Sequence, residues 1–110
     1  MAEVRQLDRT FDALADPLRR RAVELLRERP RRAGELAEAL GVTPPVMSRH
    51  LRVLRQGGLV EDTHPDFDAR VRIYSLRSAP MTELRSWLDA TEAGWATQLD
   101  AFRAHVEGTS

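Results

Sequence analysis

Apolar residues at the start of the chain fall at Val4, Leu7, Phe11 and Leu14, spaced by three, four and three. That spacing places them on one stripe and predicts a short amphipathic helix. Asp16-Pro17 then reads as an N-cap with proline at the first helical position. It opens a second helix through Leu18, Ala22, Leu25 and Leu26 that stops before Pro30. Leu36, Ala37 and Leu40 repeat the helical spacing and end at Gly41, a residue suited to the left-handed conformation that closes helices. Thr43 or Pro44 starts the next helix, with Pro45 in its first turn; it runs through Met47, Leu51 and Leu54 and ends at Gly57-Gly58.

Two short helices joined by a glycine turn, about residues 33–56, make a helix-turn-helix. Beyond the glycines, the runs LVEDT and RVRIYSL are separated by the turn-forming HPDFDA, which predicts a β-hairpin over about 59–76. From about 80 to 106 the helical period returns in Leu84, Leu88, Thr91, Trp95, Leu99, Phe102 and Val106, with Trp87 beside the stripe. The Gly-Thr-Ser tail is expected to fray. The predicted fold is mostly α with a small β-hairpin, arranged as a single winged helix-turn-helix domain over residues 1–110.

A chain of 110 residues supports one core and is too short for separate catalytic and binding domains. A helical chain this small often completes its core by pairing with a copy of itself. Absence of cysteine removes disulfides, thiolate metal ligands and thiol catalysis. No apolar run near the start has signal-peptide or membrane length, so the expected location is the cytoplasm, with no membrane partner.

Net charge is zero, but it is unevenly distributed. Residues 17–58 hold ten arginines against four acids, and residues 80–110 two against five. No acid occurs between Glu38 and Glu61, so nothing on the helix through Met47 repels phosphate. A DNA-reading helix packs one face on its own domain and turns short polar and basic groups into the groove. With Met47, Leu51 and Leu54 inward, Thr43, Val46, Ser48, Arg49 and Arg52 face out. Arg49 is the candidate for base edges or phosphate, Ser48 and Thr43 for hydrogen bonds, and Val46 for a thymine methyl. Arg52 and Arg55 are placed on the DNA backbone. Arg70 and Arg72, alternating on the second strand, are placed near phosphate or the adjacent minor groove. Arg19, Arg20 and Arg21 read as ordinary surface charge.

ELAEALGVTPPVMSRHLRVLRQGGLV, preceded by ALADPLRRR, resembles the ArsR/SmtB family of winged-helix repressors. DARVRIYSL matches the wing and WLDATEAGW the start of the last helix, so the likeness covers about residues 8–106. It implies a DNA-binding repressor of its own operon, released by an effector and dimerising through its first and last helices. The residues expected at the homodimer seam are Leu7, Phe11, Leu84, Leu88, Trp95, Leu99 and Phe102. Thr43 through Arg52 match the family's recognition helix, and Ser48-Arg49-His50 its serine-basic-histidine segment. Pro44 stands where the family often has glutamine; it cannot make that side-chain contact, so the base preference is expected to differ.

Metal-sensing members of that family commonly use a cysteine pair on the recognition helix, or His and carboxylate ligands on the last helix. This chain has no cysteine, and Asp100, His105 and Glu107 do not reproduce the second spacing. The expectation is therefore no metal and no cofactor, with a small organic effector or none. His64, Asp66 and Asp68 alternate in the hairpin loop but make an incomplete shell for a hard cation.

Two rival functions bear on the same residues. Catalysis by Ser48 with His50 fails because residues two apart on a helix do not face each other, and His50 falls toward the packed face. A winged-helix protein-interaction module would instead use the last helix as a partner surface. Trp87 and Trp95 suit core or dimer interface, a partner surface, or the lining of a dimer cavity, and the sequence does not separate these.

Overall fold

The computed structural model describes residues 5–65 and 70–108. Helix α1 spans Gln6–Leu14, α2 Pro17–Glu28, α3 Ala33–Leu40, α4 Pro44–Gln56 and α5 Ser78–Gly108. Strands β1 (Arg31–Arg32), β2 (Val60–Thr63) and β3 (Ile73–Leu76) form one antiparallel sheet in the order β1-β3-β2. The molecule is mostly helical with a small sheet, as its residue pattern predicts.

Local chemistry sets most boundaries. Asp16 Oδ1 accepts from the Leu18 and Arg19 amides at 2.8 and 3.2 Å, capping α2 beside Pro17. Those bonds, the Arg19 amide foremost, hold the Asp16 carboxyl below the usual aspartate range. Gly41 closes α3 at φ +69°, and Gly58 turns the chain from α4 into β2 at φ +79°. Thr43 caps α4, with Pro44 and Pro45 as its first two residues. Leu36, Met47, Leu51, Leu54 and Leu59 are fully buried in a core shared by α2, α3, α4 and the sheet, so both helices of the helix-turn-helix rest on one support.

Several expectations change. The hairpin gains a third strand, because the extended residues after α2 pair Arg31 with Tyr74 and Arg32 with Ile73 along the free edge of β3. β3 begins at Ile73, so Arg70 and Arg72 precede the strand instead of lying on it. The ladder stops there because the partner strand ends at Thr63, two residues before Pro65. In α1 the buried residues are Leu7, Thr10 and Ala13, while Phe11 turns away to meet Trp87 of α5 edge-on at 5.2 Å. The α1 stripe is thus divided between the core and the last helix; Val4 lies outside the described residues.

α5 starts at Ser78, two residues before its expected start, and Pro80 is buried in its first turn, where a missing amide costs no helical bond. Its 31 residues span about 46 Å at 1.5 Å per residue. Only its opening turns pack on the core, through Pro80 and Met81. Beyond Trp87, Leu88, Trp95, Phe102 and Val106 stand open, with Trp95 59% and Phe102 64% exposed. The molecule is accordingly elongated, 72 × 34 × 25 Å.

Candidate nucleic-acid interface

The register of α4 decides what it can present. Met47, Leu51 and Leu54 are buried, so the opposite face, carrying Thr43, Pro44, Ser48, Arg49 and Arg52, is exposed, with Val46 half-buried at its margin. A helix so anchored can enter a major groove about 12 Å wide without giving up its packing. Arg49 and Arg52 make no ion pair or side-chain hydrogen bond among the described residues, which leaves their guanidinium donors available.

Two assignments sharpen. Thr43 Oγ1 accepts from the Val46 amide at 3.4 Å, so the hydroxyl is part of the helix cap as well as an outward-facing group. Pro44 and Pro45 carry no amide hydrogen, and the Met47 amide is bonded to the Thr43 carbonyl at 3.0 Å. The first turn of α4 therefore offers no unsatisfied backbone donor to a phosphate, and affinity there rests on side chains.

His50 is half-buried, and its Nδ1 lies 3.3 Å from Arg19 Nη1. A guanidinium only donates, so Nδ1 accepts and the ring proton sits on Nε2. The same arginine donates to the Ala13 carbonyl at 2.7 Å and the Asp12 carbonyl at 3.2 Å, while Arg20 donates to the Leu14 carbonyl at 2.6 Å. Arg19 and Arg20 thus satisfy the last carbonyls of α1. Their reading as ordinary surface charge is corrected.

Between α4 and the sheet lies an open cleft of about 370 Å³ lined by Ser48, Leu51, Arg52, Arg55, Arg72 and Tyr74, with Ala33 at its edge. It brings together recognition-helix and wing arginines that are far apart in sequence. Asp62 stands beside it, with Oδ1 3.3 Å from Arg55 Nη1 and Oδ2 3.8 Å from Arg72 Nε. The residue reading singled out the arginines and missed this acid. Period two from buried Val60 was the available signal, since it puts Asp62 on the inner face of β2. Arg70, exposed at the wing, lies outside the residues lining the cleft.

On α5, Leu88, Trp95 and Phe102 are exposed and Leu84 and Leu99 half-buried, while Leu7 of α1 is buried within the single chain. His64 Nδ1 donates to the Val71 carbonyl at 3.0 Å and braces the base of the wing; Asp66 and Asp68 lie outside the described residues. Among the described residues no three His, Asp or Glu side chains gather as metal ligands, and no helix is long and apolar enough to cross a membrane.

Residues 16–62 match the model of the family described as bacterial regulatory protein, arsR family. The HTH-type transcriptional regulator Rv2034 of Mycobacterium tuberculosis is 40% identical over 89 residues, 81% of this chain and 80% of that protein. The transcriptional repressor SdpR of Bacillus subtilis is 28% identical over 82 residues, 74% of this chain and 88% of that one. Among solved structures, an ArsR-like transcriptional regulator from Rhodococcus sp. RHA1 superposes with a TM-score of 0.81 at 26% identity, covering 94% of this chain and 92% of that one.

Proposed function

The chain belongs to the arsR family of bacterial regulatory proteins, and we propose that it is an autoregulatory repressor that binds an inverted-repeat operator as a homodimer. DNA-binding transcriptional regulation is the activity of the family, which is one of regulators and not of enzymes. The observation that carries the reading for this chain is the outer face of α4, where Ser48, Arg49 and Arg52 are exposed on a helix locked from behind by Met47, Leu51 and Leu54. Repression is supported by the named activity of the Bacillus subtilis relative.

Pairing through the open stripe of α5, with Phe11 and Trp87 at its base, would give a two-fold dimer carrying two copies of α4. Such a dimer reads inverted half-sites about one helical turn apart, or a small multiple of that. We place it in the cytoplasm, without a resident metal or cofactor and with a small organic effector, or none, as the releasing signal. The exposure of Trp95 and Phe102 also favours a second reading, in which α5 docks a different protein.

The test is binding of the purified protein to the DNA upstream of its own gene, at two salt concentrations, beside a scrambled duplex of equal length. Tight, salt-sensitive and sequence-selective binding is expected, and Arg49→Ala should weaken it at least tenfold more than Arg77→Ala. Absence of any preference over the scrambled duplex would turn attention to the protein-docking reading.

A further inference from the structure

Asp62 is an acid in an arginine-rich interface, a location where a carboxylate opposes phosphate at long range. Its side chain is only 14% exposed, and β2 directs it inward on the same face as buried Val60. A carboxylate so placed needs charged partners, and its two oxygens address different parts of the fold: Oδ1 meets Arg55 at the end of α4, and Oδ2 meets Arg72 just before β3. Tyr74, which pairs directly with Asp62 across the ladder, lines the same cleft as the two arginines. Both arginine side chains remain about half exposed, at 48% and 52%, so each keeps outward donors while one side is held.

Building on the DNA-binding reading, we infer that Asp62 is a positioning residue that clasps the wing to the recognition helix and holds Arg55 and Arg72 as opposed donors for one DNA backbone phosphate in the cleft between them. Arg52, lining the same cleft beside the neutral Ser48, adds a third guanidinium; the lining thus holds three cations, and Asp62 leaves a net surplus of two. A phosphodiester oxygen entering there meets donors whose rotamers are already restricted, so less side-chain freedom is lost on binding.

The inference makes a prediction opposite in sign to bulk electrostatics. Removing an acid from a DNA interface should tighten binding if charge alone acts. If Asp62 positions the arginines, Asp62→Asn should weaken binding to a duplex recovered by selection from random DNA by about three- to tenfold, and the charge-matched Glu24→Gln should leave it unchanged. In an Arg72→Ala background, Asp62→Asn should weaken binding by a smaller factor than it does in the wild type, because only its hold on Arg55 is then left to lose, and Arg72→Ala itself should reduce the slope of log affinity against log salt by about 1.

A second arm uses wild-type protein and does not depend on how the Asp62 variant folds. Duplexes carrying a single neutral methylphosphonate, stepped along each strand, should lose affinity wherever a contacted phosphate is neutralised, and at one of those steps per half-site the loss should be smaller for Arg72→Ala than for the wild type. Tighter binding by Asp62→Asn, or no phosphate position coupled to Arg72, overturns the inference while leaving DNA binding intact. Displacement of the duplex by inorganic phosphate at matched ionic strength would assign the cleft to a free anion and overturn it as well. Failure of selection to enrich any duplex would overturn the DNA-binding reading itself, and this inference with it.

Discussion

The guanidinium of Arg19 stands where three helices meet, bonded to the closing carbonyls of α1, carried by α2 and touching His50 of α4. Immediately before α2, Asp16 ties the start of the same helix through a charged cap. Its lowered pKa fixes the sign of a pH effect. The cap's full contribution is present above the unfolded aspartate value, about 3.9, and is lost as pH falls through the lower folded value. Asp16→Ala should therefore lower stability at pH 7 by about 1 kcal/mol, read in a urea titration, and the gap from wild type should close in strong acid. The cap was legible because Asp-Pro before an apolar period has one local meaning. Arg19 was not, since its partners belong to a preceding helix whose crossing angle no local pattern encodes. Asp62 fell between these cases: its inward face follows from strand alternation, but its two arginine partners are seven and ten residues away in sequence on different elements.

Among the elements, α4 was the most legible, since the Met47, Leu51 and Leu54 period defined its buried face, while its two prolines left the start open between Thr43 and Pro44. The wing was less so. A two-residue strand such as β1 has no periodicity to read, and the retreat of β3 to Ile73 depends on where its partner ends. The joint between α4 and the wing is governed by Gly58, whose φ of +79° suits glycine, and where an added Cβ would sit 3.4 Å from the Gln6 amide. That amide donates to the Gly57 carbonyl at 2.6 Å, so α1 also braces the joint. Gly58→Ala is expected to cost about 1–2 kcal/mol, as strain at a left-handed position, and thermal melts of the two proteins would show it. The turn at Gly41, which has open space around it, offers a comparison for conformational strain without crowding.

At the scale of the whole molecule, the apolar period of the last helix was readable, and its division between a seated beginning and an open remainder was not. Which apolar residues a neighbouring element covers depends on where the core ends, and here it ends near Met81, with Phe11 reaching Trp87 beyond it. If the open stripe pairs two copies, sedimentation at micromolar concentration should give about 25 kDa, twice the 12.5 kDa chain, and Trp95→Arg should shift the protein toward 12.5 kDa. A monomer for the wild type would sink the pairing. In such a pair, a helix about 46 Å long with so little of its own chain beneath it would depend on the second copy for shelter. Dilution would then act as a denaturant: halving the dose of protein would remove more than half of the competent pairs, and a repressor of its own gene would sense its abundance through a quadratic law before any effector arrives.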